Sequence, residues 1–163
     1  MENYIVINGK KAELTEEQLK ALGLETETNP FEREIDKMYY HIDSRGRIDT
    51  DLEMDSPYDN GRWEAANYCT DREMLQQQAY RETLNRLLWR YSMEHKGNEI
   101  NWDDDTEKKY QILYNYHAHT WMASYNTYYQ SLGAIYFVTQ EIAESAIREI
   151  VEPFMAEHPD FKF

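Results

Sequence analysis

One cysteine, four prolines and six glycines are spread over 163 residues. A lone Cys69 makes no intrachain disulfide, so a reducing compartment is the default expectation. The glycines form no phosphate-binding loop and no dinucleotide fingerprint, and H-E-x-x-H and G-x-S-x-G are missing too. An enzyme and a cofactor are therefore not expected. No stretch approaches the roughly 20 apolar residues of a membrane-spanning helix, and MENYIVINGKK has no signal-peptide architecture; a cytoplasmic protein is expected. Basic side chains are also scarce. Seventeen Lys and Arg face 31 Asp and Glu, for a net charge of −14, which argues against direct nucleic-acid binding because phosphate contacts demand a basic surface. The same charge keeps a protein soluble and attracts cationic surfaces.

What is abundant is aromatic and helix-forming. Residues 71–96, DREMLQQQAYRETLNRLLWRYSMEHK, contain no Pro or Gly and read as one long helix. Thr70 with Glu73 forms a capping-box signature at its start, and Gly97 with Asn98 offers a stop. Tyr80, Leu84, Leu87, Leu88 and Tyr91 share one arc, with Leu75, Trp89 and Met93 opposite, so a helix covered on two sides is expected. This segment alone has more basic than acidic residues.

Upstream, Tyr4–Ile7, the turn dipeptide Asn8-Gly9 and Lys11–Leu14 read as a hairpin. Thr15-x-x-Gln18 then caps a short helix with Gly23 and Leu24 at its end. Residues 25–30, polar and without period, read as a linker or a crossing strap. Strands are expected at 38–42, 48–55, 110–116, 121–129 and 134–138, with turns at Asp43–Gly46, Asp59–Gly61 and His117–Thr120. Thr139 caps a last helix that Pro153 ends or kinks. Tyr68 and Glu73 match Tyr136 and Glu141 at one offset, so 39–92 and 109–156 read as two copies of one plan. The fold class is α+β: an N-terminal ββα module (1–28), then two repeated antiparallel-sheet-plus-helix units (29–97 and 98–163) around the long central helix.

The leading candidate site is the alternation Ile48-Asp49-Thr50-Asp51-Leu52-Glu53-Met54-Asp55. On a strand, Asp49, Asp51, Glu53 and Asp55 would stand in a row about 6.6 Å apart, comparable with successive phosphates of a nucleic-acid strand. Asp43, Asp59 and Glu64 would back the row, and Asp103, Asp104 and Asp105 would extend it. The opposing reading is an ordinary solvated sheet face. Among the aromatics, Trp121, Tyr125, Tyr128 and Tyr129 are the interface candidates, since Tyr and Trp are enriched where partners dock. Asp103–Asp105 lack calcium-loop spacing. His117 and His119 have a chelating spacing with no supporting ligand, so a polar hairpin tip is the better reading, with no metal. Cys69 reads as a small packed residue.

NPFERE (29–34), YYHIDSRGRIDTD (39–51), ANYCTDREML (66–75), ETLNRLLWRYS (82–92) and WDDDTEKKYQILY (102–114) resemble small proteins encoded by phages and prophages of Firmicutes. INGKKAELTEEQLKALGL (7–24) is similar to the N-terminal module of many of them. Some accessory proteins of this acidic, non-enzymatic type are anti-CRISPR inhibitors that bind an effector nuclease and block its use of nucleic acid. The resemblance thus implies a partner: the basic surface of a host nucleic-acid-binding protein, a type II CRISPR effector nuclease, met inside the bacterial host cell. No catalytic motif carries over. A structural or assembly protein, homodimeric through its aromatic strands and long helix, is the alternative expectation.

Overall fold

The long helix forms over Arg72–Glu94, and the strands of two separate sheets pack against it. The computed structural model describes residues 4–7, 9–23 and 29–162. Among them the chain is α+β, with small antiparallel sheets and helices in alternation.

At the N-terminus, β1 (Tyr4–Ile7) and β2 (Lys10–Glu13) pair antiparallel, with Gly9 at φ 78° in the turn. Asn8 and Leu24, to which the hairpin and helix-end expectations also referred, lie outside the described residues. Helix α1 (Glu16–Ala21) opens with the expected capping box. The Gln18 N–H donates to Thr15 Oγ1 at 3.3 Å, and the Thr15 N–H to Gln18 Oε1 at 2.9 Å, so two orphan donors are satisfied reciprocally.

Strands β3 (Met38–Ile42) and β4 (Ile48–Leu52) form the next hairpin, with Tyr39 opposite Asp51 and His41 opposite Asp49. The far edge of β3 exchanges two backbone hydrogen bonds with Cys69, at 2.8 and 3.0 Å from Tyr40. Helix α2 (Pro57–Glu64) occupies the place where a turn at Asp59–Gly61 was expected. Its signal is in the sequence: Ser56 and Asp59 cap one another, and Pro57 at the first helical position has its φ preset and no N–H to leave unpaired.

Helix α3 (Arg72–Glu94) is capped by Asp71, whose carboxylate accepts from the Met74 N–H at 3.0 Å; the expected Thr70 box does not form. The left-handed residue after α3 is Lys96, at φ 66°, ahead of a 3₁₀ turn at Gly97–Glu99. Gly97 is there for closeness, because a Cβ on it would collide with the Ser92 hydroxyl and carbonyl. Leu84, Leu88 and Tyr91 are buried against Phe137, Ala143, Val151 and Phe154, flanked by Tyr80 and Leu87. Leu75 is buried but Trp89 is 57% exposed, so the expected second cover does not run the length of the helix.

The second sheet has the order β6-β5-β7, from β5 (Lys109–Asn115), β6 (Thr120–Asn126) and β7 (Tyr136–Phe137). Helix α4 (Gln140–Ala146) follows, capped by Thr139 Oγ1 at 3.3 Å from the Ile142 N–H. Pro153 does not end the helix. A single π turn (Ile147–Val151) precedes it, with the Glu152 N–H reaching back to the Ile147 carbonyl, and α5 (Glu152–Glu157) continues. The wider turn accommodates a residue with no N–H and a ring that crowds the preceding turn.

The two halves have one local arrangement in common, although α2 lies between hairpin and long helix in the first half alone. In each, a hairpin's first strand takes a short antiparallel partner on its far edge, Cys69 or β7, just before a side-chain-capped helix. Among the described residues no helix is long and apolar enough to cross a membrane.

Candidate partner-binding surface

Strand β4 ends at Leu52, and the acidic row breaks there. Glu53 is fully buried. Its two oxygens accept from Arg33 Nε and Nη2, each at 2.7 Å, and Oε1 also accepts the Asp55 N–H at 2.8 Å. The Arg33 hydrogen bond holds the Glu53 carboxyl below its ordinary range. Asp55 turns into the left-handed region at φ 54° and lies 3.5 Å from Arg33.

Three further acids of this region, Asp59, Asp51 and Asp43, are also committed. Asp59 is buried and accepts the Tyr39 hydroxyl at 2.7 Å, the Ser56 N–H at 2.9 Å and the Met54 N–H at 3.1 Å. These bonds, that from Tyr39 first, press its carboxyl far below the usual range. Arg62 reaches from α2 over this face, 2.7 Å from Asp51 Oδ2 and 2.6 Å from the Tyr39 hydroxyl. Asp43 accepts the backbone N–H groups of Arg45 and Arg47 as well as the Arg47 guanidinium. Its carboxyl is thereby lowered to about 2, with the Arg47 backbone bond the leading cause. Asp49 and Glu64 are exposed.

The expected row of four outward carboxylates is therefore corrected. Asp49 and Asp51 are exposed, with Arg62 of α2 paired to Asp51; Glu53 is internal, and Asp55 has left the strand. Arginine explains the difference: a carboxylate that finds a fork-shaped cation within reach sheds water for two charge-assisted hydrogen bonds. Leu52 and Met54, expected as apolar backing, are 37% and 67% exposed.

A different surface assembles around Tyr136. Trp102 stands edge-on to the Tyr136 ring, with centroids 4.9 Å apart. The Tyr136 hydroxyl accepts the Ser131 N–H at 2.7 Å and donates to the Tyr129 carbonyl at 3.4 Å. One buried side chain thus braces two loops, 101–107 and 127–133. The first loop shows Asp103 and Asp105 to solvent, while Asp104 turns in to accept the Thr106 N–H and hydroxyl at 2.8 and 2.7 Å. Lys109, fully buried, donates to the carbonyls of Asp104 and Glu107 and so pins this loop from beneath. The second loop is fixed by the Tyr129 N–H on Asn126 Oδ1 at 3.0 Å, and it projects Tyr128 (77% exposed), Tyr129 (73%) and a wholly exposed Leu132.

Of the aromatic candidates, Tyr128 and Tyr129 therefore stand together. Tyr125 is exposed on β6 with Lys108 over its ring at 4.4 Å. Trp121 stands apart from them: it is half-buried, 5.0 Å from Tyr114, and packs against the core at the opposite end of β6. Leu132 and Trp102 had no periodic signal. The clue was composition: Thr127–Gly133 is uncharged and holds two adjacent tyrosines.

Cys69 is buried, donates to the Asp71 carbonyl at 3.2 Å, and has its thiol pKa raised by burial. His117 and His119 are exposed at the β5–β6 turn. Among the described residues, no group of three or more His, Cys, Asp or Glu is placed to hold a metal ion. No protein-family model, curated protein or solved structure matches the chain.

Proposed function

We propose that this protein is a non-enzymatic inhibitor from a phage or other mobile element. In this reading it occupies a basic groove on a host nucleic-acid-binding protein, and a type II CRISPR effector nuclease is the partner to test first. One observation carries the reading: the Tyr136 side chain braces both the loop that shows Asp103 and Asp105 to solvent and the loop that projects Tyr128, Tyr129 and Leu132. A rigid aromatic anchor with a like-charged rim suits a groove that has Lys and Arg along its walls and an apolar floor. The charge of −14 supports fast, salt-sensitive association. The partner-binding role thus moves from the 48–55 strand to the two loops, with Asp49 and Glu64 as outlying charge.

The experiment is binding to a purified type II effector nuclease at low and high salt, with DNA cleavage as the second readout. Capture that weakens as salt rises, with cleavage blocked, supports the reading. Absence of both capture and inhibition overturns it. A second reading, a homodimeric assembly protein, is favoured by the open edge of β6 and the exposed pair Leu113 and Met122 facing each other across β5 and β6. A concentration-dependent dimer that Met122→Lys abolishes would support it.

A further inference from the structure

Basic side chains are outnumbered 17 to 31 in this chain, yet three arginines and a histidine converge on one cavity. It measures about 400 Å³ and lies between the β3–β4 turn, the first half of α3 and the end of α5. Its lining includes Arg45, Arg47, Arg72, Gln76, Tyr80 and His158, and contains no Asp or Glu.

The fold assembles this cavity from two directions. Arg72, Gln76, Tyr80 and Thr83 follow one another at helical spacing and so share one face of α3. The β3–β4 turn is pressed onto that face. Gly46, at φ 79°, lies so close that a Cβ would meet Thr83 Oγ1 at 2.9 Å and the Arg86 guanidinium at 3.3 Å. Asp43 organises the turn by accepting from both arginine backbones, and its carboxylate lies 3.0 Å from Arg47 Nη2 and 3.5 Å from Arg45 Nε. Arg72 makes no ion pair among the described residues. The other wall is aromatic: the rings of Tyr80 and His158 lie 4.4 Å apart at 31°, with Phe154 beside them.

We propose that this cavity binds a phosphate-bearing aromatic ligand of mononucleotide size, with Arg45, Arg47 and Arg72 on the phosphate and the ring against Tyr80 and His158. Guanidinium forks match phosphate oxygens in pairs. Asp43 partly offsets Arg45 and Arg47, and Asp160 Oδ2 accepts from the Tyr80 hydroxyl at 3.4 Å. Three guanidinium groups against these two carboxylates, with Arg72 outside any ion pair among the described residues, leave a local excess of positive charge that counters the repulsion the rest of the molecule exerts on an anion. The aromatic wall supplies stacking that inorganic phosphate cannot use. This site is separate from the surface around Tyr136, so it stands or falls without the inhibitor reading.

The test is titration of the intact protein with AMP, adenosine and inorganic phosphate, followed by calorimetry and amide chemical shifts. AMP is expected to bind more tightly than inorganic phosphate, and adenosine not measurably. The pair Arg45→Glu and Arg72→Glu should weaken AMP at least tenfold. No AMP binding up to about 5 mM, adenosine binding as tightly as AMP, or the charge-reversed pair binding as the native chain does would each overturn the proposal. Inorganic phosphate binding as tightly as AMP would overturn the aromatic half. Should the reversed pair not fold, Arg72→Gln keeps a good helix former at an exposed position and should still weaken AMP binding several-fold; unchanged binding would overturn the proposal.

Discussion

The Arg33 guanidinium and the Glu53 carboxylate meet fork to fork, with Nε and Nη2 each 2.7 Å from an oxygen, and Arg33 Nη1 extends the contact to Asn60 Oδ1 at 2.6 Å. This pair ties the segment before β3 to the end of β4 and to α2. It also removes one carboxylate of the expected acidic row from the surface. Arg33→Ala should strand Glu53 as a buried, unpaired charge and lower the melting temperature by roughly 5–10 °C. Arg33→Met with Glu53→Leu should recover part of that loss, because the charge then leaves with its partner. Thermal melts of the three proteins decide it.

Acid should loosen the region around α2 first. The carboxyls of Asp43 (held at about 2), Asp59 and Glu53 all lie below their ordinary values. Between the ordinary carboxylate range and these lowered values the unfolded chain binds more protons than the folded one. Their stabilisation is therefore complete above about pH 5 and is lost as pH falls toward 2. Asp59→Asn should flatten this acid limb and also lower stability at neutral pH, where Asp59 serves Tyr39, Ser56 and Met54. Urea melts from pH 2 to 7 measure both.

Ser92 couples α3 to the second sheet through its hydroxyl, which donates to the Tyr136 carbonyl at 2.5 Å in a fully buried position. Ser92→Ala should cost about 1–3 kcal/mol in denaturant unfolding, since the acceptor is left dry. Gly97→Ala drives a methyl group at the same hydroxyl and should cost a similar amount.

Tyr136→Phe isolates the brace under the two loops. The ring still packs against Trp102, but the Ser131 N–H loses its acceptor. Hydrogen exchange at Ser131 should accelerate while α3 amides remain protected. Capture of a cationic partner should weaken with it, because an anchor that must be ordered on binding binds less tightly.

Charge reversal separates the two acidic regions. Asp103→Lys with Asp105→Lys should slow association with a basic partner and leave the melting temperature nearly unchanged, because both acids face solvent. Glu53→Lys should unfold the β3–β4 hairpin region instead, by placing a cation against Arg33. Association kinetics beside melting curves distinguish a lost contact from a lost fold.

The local signals were written plainly in the chain. Thr15-x-x-Gln18, the uninterrupted run 71–96 and Thr139 before the last helix encode elements through bonds that span only a few residues. Tyr68 and Tyr136 both precede a capped helix, while α2 has no counterpart in the second half. Ser56-Pro57-x-Asp59 was equally legible as a helix start, but the Asp-Asn-Gly that overlaps it is a stronger turn signal by composition alone.

What the sequence by itself determined is the inventory: an acidic, aromatic-rich α+β chain built around one long helix, because propensity, capping and apolar period act over neighbouring residues. Only the tertiary structure decided which charges remain available. Arg33 lies 20 residues from Glu53, and Arg62 reaches Asp51 from a helix no period announced. Alternation in a strand states which residues share a face; it does not state what covers that face. Desolvation and pairing are settled by long-range approach, and so Glu53 and Asp59 are buried among partners while Asp49, Asp103 and Asp105 stay exposed.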